Sequence, residues 1–194
     1  MMWLLIASIV GGTLLLAGIP KVRDRDGLLR VVRGYRLLPA PLEQAVAIVL
    51  PWVEIVVGAA LVTGLAGRYA AALAALVFAA FCAGLSVNLV RGRRELDCGC
   101  FAFGAAHEVP RIGWFHAIRA GAFAVAAALL AVVPAGSPTP GEHVLAVVLA
   151  ALALAAVVTA SQLRAVVHPG RRPVDGHLTN ASIELRAAAT LSRY

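Results

Sequence analysis

Residues 69–101 read YAAALAALVFAAFCAGLSVNLVRGRRELDCGCF. The first part, Tyr69 to Val90, holds no charged side chain, and it is followed at once by Arg91, Arg93 and Arg94. A helix needs about 20 apolar residues to cross the hydrocarbon of a bilayer, within a range of about 17–25. The apolar run meets that length and its basic flank suits a headgroup region, so this stretch predicts a membrane-spanning helix with a surface turn after it. The turn then carries two of the chain's three cysteines, Cys98 and Cys100, separated by Gly99.

Working outward, four further segments have the same character. Spans are expected at about residues 2–19, 42–64, 69–91, 112–134 and 143–164. The short TGLAGRY stretch joins the second to the third as a tight antiparallel hairpin, and PAGSPTPGE separates the fourth from the fifth as a turn through which neither helix continues. No strand-like alternation of useful length occurs. The fold class expected is all-α, a polytopic transmembrane bundle over residues 1–167, with a flexible polar tail over 168–194. The first apolar stretch lacks a basic region before it and a small-residue cleavage site after it, so it reads as a retained span rather than a leader.

Composition agrees. Of 194 residues, 61% are hydrophobic and 14% charged, and a soluble domain carries about a quarter charged residues. The net charge of +7 would suggest a nucleic-acid partner in a soluble protein. Here the arginines flank apolar runs, so the partner implied is the lipid bilayer and no nucleic acid is expected. Between the first two spans, Leu28, Leu29, Val32, Tyr35 and Arg36 recur at spacings of three and four. They predict a short amphipathic helix at the headgroups, ended by Pro39 and Pro41.

Lysine and arginine set orientation. Residues 21–36, 91–111 and 164–194 together hold fifteen of them, and the opposite loop holds only Arg68. Five spans then place the N-terminus outside and the C-terminus in the cytoplasm of a multi-pass plasma-membrane protein. The turn containing Cys98 and Cys100 falls near the cytoplasmic face.

Residues two apart in a helix project about 200° apart, so Cys98 and Cys100 cannot pair there. A disulfide requires Cα atoms about 4.4–6.8 Å apart with converging Cβ vectors. Gly99, without a Cβ, tolerates the tight backbone that would join them. So small a ring is strained and labile, which suits exchange more than a structural staple. The arginines at 91, 93 and 94 favour the reactive thiolate, and Glu95 and Asp97 oppose it. Cys98 and Cys100 are therefore the candidate catalytic pair, with Gly99, Asp97, Arg91 and Phe101 in support. A metal site is a second reading, since His107 and His116 would complete two sulfurs and two nitrogens, although the spacing matches no common zinc pattern. Inert thiols are the third. Cys82, inside a span, reads as a small buried apolar residue.

Glu54 is the one carboxylate deep within a span, and such a residue normally has a partner. Lys21, at the end of the first span, and Arg119, in the fourth, are the candidates, for a structural ion pair or a proton relay. Asn88 reads as a packing residue able to hydrogen-bond across helices.

Lys21, YRLLP at 35–39, LPWVE ending at Glu54, Gly58 and RGRRELDCGCF at 91–101 together resemble the MauE family of methylamine-utilisation membrane proteins, grouped with DoxX-like helical bundles. The resemblance covers about residues 1–165, and DCGCF is its most specific part. Ala102 stands where the family commonly has glycine, and Ala120 stands where it tends to have asparagine after the arginine. What the resemblance implies is a membrane thiol–disulfide redox protein that helps mature a disulfide-containing client of the methylamine dehydrogenase type, beside a thioredoxin-like partner. The implied client is outside the cytoplasm and the arginine count puts the thiols inside, so the direction of electron flow stays open. Two alternatives stand beside it: a non-catalytic DoxX-like scaffold of an oxidoreductase complex, which leaves room for a quinone, and a Cys/His metal-binding membrane protein. No other cofactor is expected.

Overall fold

A backbone in hydrocarbon must satisfy its own hydrogen bonds, and these alanine- and leucine-rich runs do so as helices. The computed structural model describes residues 1–65, 67–93, 112–133 and 139–167, without the side chains of 161, 162 and 164–167. Every regular element among the described residues is helical: α1 (Met2–Arg23), α2 (Arg25–Tyr35), α3 (Ala40–Thr63), α4 (Gly67–Val90), α5 (Trp114–Val132) and α6 (Pro140–Val167). Five of them are long and apolar enough to cross a membrane, with α6 qualifying over Pro140–Ala160. The 24 residues of α4 extend about 36 Å, against about 30 Å of hydrocarbon. The expected polytopic bundle is what the chain forms. The tail 168–194 lies outside the described residues.

The chain divides into two units, Met1–Leu154 and Ala155–Tyr194. In the first, α1 packs chiefly on α3 and α4 chiefly on α5, and α2 lies against α3 and α1. One core cluster joins Val10 and Leu14 of α1 to Val57 and Leu61 of α3, Phe78 of α4 and Leu130 of α5. The Phe78 and Phe123 rings stack within it, 5.1 Å between centroids. A second cluster gathers Leu85, Leu89, Ile112, Ala117 and Ala120, with Tyr35 and Cys82 against it. Val56, Leu76, Val125 and Leu129 point outward. Such a surface suits lipid and would be an aggregation liability in water. The second unit begins with the end of α6, and beyond Val167 it lies outside the described residues.

Helix ends differ from expectation at three places. Pro39 and Pro41 do not end α2. It stops at Tyr35, because Arg36 adopts the left-handed conformation (φ 49°). Pro39 is instead the N-cap of α3, with Pro41 in its first turn, where a missing N–H costs nothing. Likewise Pro140, Gly141 and Glu142 belong to α6 rather than to a turn. Thr139 and Glu142 form a reciprocal cap: the Glu142 carboxylate accepts from the Thr139 N–H at 3.0 Å, and Thr139 Oγ1 accepts from the Glu142 N–H at 3.3 Å. Next to them, His143 Nε2 lies 2.8 Å from the Val62 carbonyl near the end of α3. The α3–α4 connection is shorter than expected, residues 64–66, and it opens with Gly64 at φ 75°.

Candidate functional site

The described part of the site begins with a close approach of two backbones. A Cβ placed on Gly11 would sit 2.7 Å from the Gly58 carbonyl oxygen, and one on Gly58 would sit 2.7 Å from the Gly11 oxygen. Seven residues on from Gly11, a Cβ on Gly18 would meet Glu54 Cβ and the Pro51 oxygen, each at 3.0 Å. Gly11, Gly18 and Lys21 thus share the face of α1 that meets Pro51, Glu54 and Gly58 of α3. Small residues at such a face let helices in lipid come together.

That contact delivers the ion pair. Lys21 Nζ lies 2.6 Å from Glu54 Oε1, and the Glu54 residue is entirely buried. The Lys21 ammonium also lies 4.9 Å from the centroid of the Phe81 ring, a cation–π contact. Of the two candidate partners for Glu54, Lys21 makes the salt bridge. Arg119 lines the same cavity as Glu54. The second carboxylate oxygen, Oε2, has no protein partner among the described residues. Leaving a buried acceptor unmade costs about 1–3 kcal/mol, more when it is charged.

Glu54 borders a cavity of about 30 Å³ between α1, α3, α4 and α5. Thr13 comes from α1, Phe78 and Phe81 from α4, and His116, Arg119 and Ala120 from α5. His116 Nδ1 accepts the Gly113 N–H at 3.3 Å, so a neutral ring carries its proton on Nε2.

At the same end of the bundle, α4 terminates in a Schellman motif: the Gly92 N–H donates to the Leu89 carbonyl and the Arg93 N–H to the Asn88 carbonyl, both at 3.0 Å. Gly92 takes φ 75° there. Arg93 then reaches across to α2. Its Nη2 donates to the Gly34 carbonyl at 2.8 Å, and its Nη1 donates to the Tyr35 carbonyl at 3.3 Å and to Asn88 Oδ1 at 3.2 Å. These carbonyls close α2, which would otherwise leave its last acceptors without partners. The guanidinium is therefore the cap of another helix, and it brings two arginine-bearing segments, 25–36 and 91–93, to one end of the bundle. Among the described residues Asn88 makes no direct bond to a neighbouring helix. Its Nδ2 donates to the Gly84 carbonyl of its own helix at 3.0 Å, and it reaches α2 only through Arg93.

Asp97, Cys98, Gly99, Cys100, Phe101 and His107 lie outside the described residues. Their segment starts at Arg93, held by α2, and returns at Ile112, which is buried in the second core cluster. Arg91 is exposed just past α4. Cys82 is half-buried with a free thiol, and its Sγ lies 3.4 Å from where a Cβ on Gly121 would be. Arg93 is the residue whose role the sequence concealed. It counted only as charge, and no spacing relates it to Gly34.

A family model described as "Methylamine utilisation protein MauE" matches residues 1–133. The chain belongs to this family. Among similar curated proteins, the MauE of Methylophilus methylotrophus is 41% identical over 118 residues, 61% of this chain and 61% of that protein. The MauE of Paracoccus denitrificans is 39% identical over 124 residues, 61% of this chain and 65% of that protein. The MauE of Methylorubrum extorquens is 34% identical over 138 residues, 71% of this chain and 73% of that protein. The matches to the first two thus span less than two thirds of those relatives. No solved structure matches the chain. The resemblance drawn from YRLLP, LPWVE and RGRRELDCGCF holds, but the family match ends with α5 instead of continuing to about residue 165. Lys21, Glu54, Arg93, Cys98, Cys100 and Arg119 all fall within the MauE-matched residues.

Proposed function

We propose that this chain is a membrane protein of methylamine utilisation that exchanges a Cys98–Cys100 disulfide with a thioredoxin-like protein. The exchange serves maturation of a disulfide-containing client of the methylamine dehydrogenase type. The observation that carries the reading is a pair of cysteines one residue apart within the family-matched residues 1–133, on a segment whose two ends are anchored. Arg93 and Ile112 mark the end of the bundle at which a partner would dock.

The chemistry balances without a further reagent. One thiolate of the pair attacks the partner's disulfide, giving a mixed disulfide and releasing one partner thiolate. The second cysteine attacks that mixed disulfide, closing the Cys98–Cys100 bond and freeing the partner's other thiolate. Two electrons pass to the partner, and the reverse reaction takes the same path. Gly99 permits the closed ring, and Arg91, Arg93 and Arg94 favour the attacking thiolate against Asp97. Orientation follows the arginines, with the N-terminus outside and this end of the bundle cytoplasmic.

Cys98→Ser and Cys100→Ser are each expected to abolish client maturation, and one of them to trap a partner-linked adduct. Full maturation in the double serine variant sinks the reading. A membrane-impermeant thiol reagent, applied to intact and to broken cells, reports the side. Labelling of the pair in intact cells overturns the cytoplasmic placement.

A further inference from the structure

Lys21 is the only lysine in the chain; its sixteen other permanent cations are arginines. The arginines flank the spans or, as Arg119, lie in the first turns of α5, and an arginine stays protonated in any protein environment. Lysine is the basic side chain that releases its proton readily when buried, and this one is buried against a carboxylate. A structural ion pair has no need of that property.

The surroundings point the same way. Glu54 Oε1 is engaged by Lys21, and Oε2 has no protein partner among the described residues. Glu54 lines a cavity of about 30 Å³, and a space of about 10–15 Å³ admits one water. Thr13, Glu54, His116 and Arg119 form the polar part of an otherwise apolar lining, and a buried polar group beside such a space is where ordered water is found. His116 lines the same cavity two residues into α5, with Nδ1 occupied by the Gly113 N–H and Nε2 left to exchange a proton. Arg119 adds a fixed positive charge, and α4 contributes only the rings of Phe78 and Phe81 to the lining. The ligand chemistry this suits is water and the proton. The cavity is far too small for a quinone ring.

We infer that Glu54 and His116, which line the cavity between α1, α3, α4 and α5, form with Lys21, bonded to Glu54, a hydrated proton-exchange site inside the membrane. Lys21 and Glu54 share a proton along the contact between them, water in the cavity hydrogen-bonds Oε2, and His116 connects that water to the end of the bundle where α5 begins. Transfer of the shared proton from Lys21 to Glu54 gives amine and carboxylic acid, and uptake of one further proton from the cavity water returns Lys21 to ammonium; release reverses both steps. None of this depends on Cys98 or Cys100, and the site is expected to work unchanged in their double serine variant.

The single lysine makes the test direct. The full chain, labelled with ¹⁵N-lysine and ¹³C-glutamate and reconstituted in lipid bilayers, gives one Nζ resonance, and its dipolar contact assigns the Glu54 Cδ among the six glutamates. On titration, the Glu54 Cδ and Lys21 Nζ shifts are expected to move together, and water-edited spectra to show magnetisation passing from water to Glu54. Shifts that stay fixed over the whole range in which the protein remains folded would establish a permanent ion pair and overturn the inference. So would absence of transfer from water. Ala120→Leu, which fills the cavity while leaving Lys21 and Glu54 in place, is expected to abolish the water transfer and keep the Nζ–Cδ contact. Undiminished transfer in that variant is equally fatal to the inference.

Discussion

Replacing Lys21 with methionine keeps an unbranched side chain of similar length and removes only the charge. The consequence is fixed by how Glu54 is held. It is fully buried, one oxygen is engaged by Lys21 at 2.6 Å, and the other has no partner among the described residues. Without the ammonium, neither oxygen keeps a described protein partner. Breaking a buried pair from one side costs about 3–5 kcal/mol, because a charge is left uncompensated. Removing both partners, as Lys21→Met with Glu54→Leu, restores an apolar contact and is expected to be close to neutral. The two singles should also differ. Lys21 lies two residues from the end of α1 and its four-carbon stem can carry the ammonium toward the headgroups. Glu54 has α1 against it at Gly18 and no such escape. Lys21→Met is therefore the more damaging single change. Reversible unfolding in bicelles, read as a double-mutant cycle, measures all three. A Lys21→Met cost below about 1 kcal/mol, the value of an exposed pair, would refute the account of the α1–α3 contact.

Three further outcomes test the packing around this pair. Gly58→Ala is expected to cost about 1–3 kcal/mol by forcing a carbonyl contact at 2.7 Å to open, while Gly141→Ala, with no atom within 4 Å, changes little; the same unfolding assay compares them. Arg93→Ala removes three hydrogen bonds to Gly34, Tyr35 and Asn88, so amide hydrogen exchange should rise selectively over residues 25–35 while α1 and α3 stay protected. By contrast, Glu43→Ala breaks a 3.5 Å contact with the largely exposed Arg33, and a stability change within about 1 kcal/mol is expected in the unfolding assay.

The spans were legible because twenty apolar residues in a row have one physical solution in lipid. Their ends were less so, for two different reasons. Pro39, Pro41 and Pro140 looked like terminators, yet proline serves equally well in a first turn, and here each opens or precedes a helix. The true terminator of α2 is a left-handed Arg36 with Arg93 bonded to the last carbonyls, and that guanidinium comes from fifty-eight residues away. No local pattern announces a cap supplied by another helix. The Glu54 partner lay between these cases. Lys21 and Arg119 were equal candidates by type, and the spacing Gly11, Gly18, Lys21 against Pro51, Glu54, Gly58 is the signal that distinguishes them, since it puts the close-approach residues on one face with Lys21. The cysteine pair was read from its spacing about Gly99, its flanking charges and the family resemblance, and it lies outside the described residues.

Polar groups from four helices gather toward one end of the bundle. Arg93 joins α4 to α2, Lys21 sits near the end of α1, and His116 and Arg119 occupy the first turns of α5. The segment holding Cys98 and Cys100 connects α4 to α5, and it lies outside the described residues. At the other end, where α3 passes to α4, the contact to α6 is His143 on a backbone carbonyl, a tether with no buried carboxylate or lysine beside it. The family match stops at residue 133, before α6. Within the first unit α6 adds Ala146 and Ala150 to the buried set, and α1, α3, α4 and α5 together enclose the cavity. Of the five spanning helices, α6 is the one that contributes nothing to the cavity lining, and it is the one that lies beyond the family match.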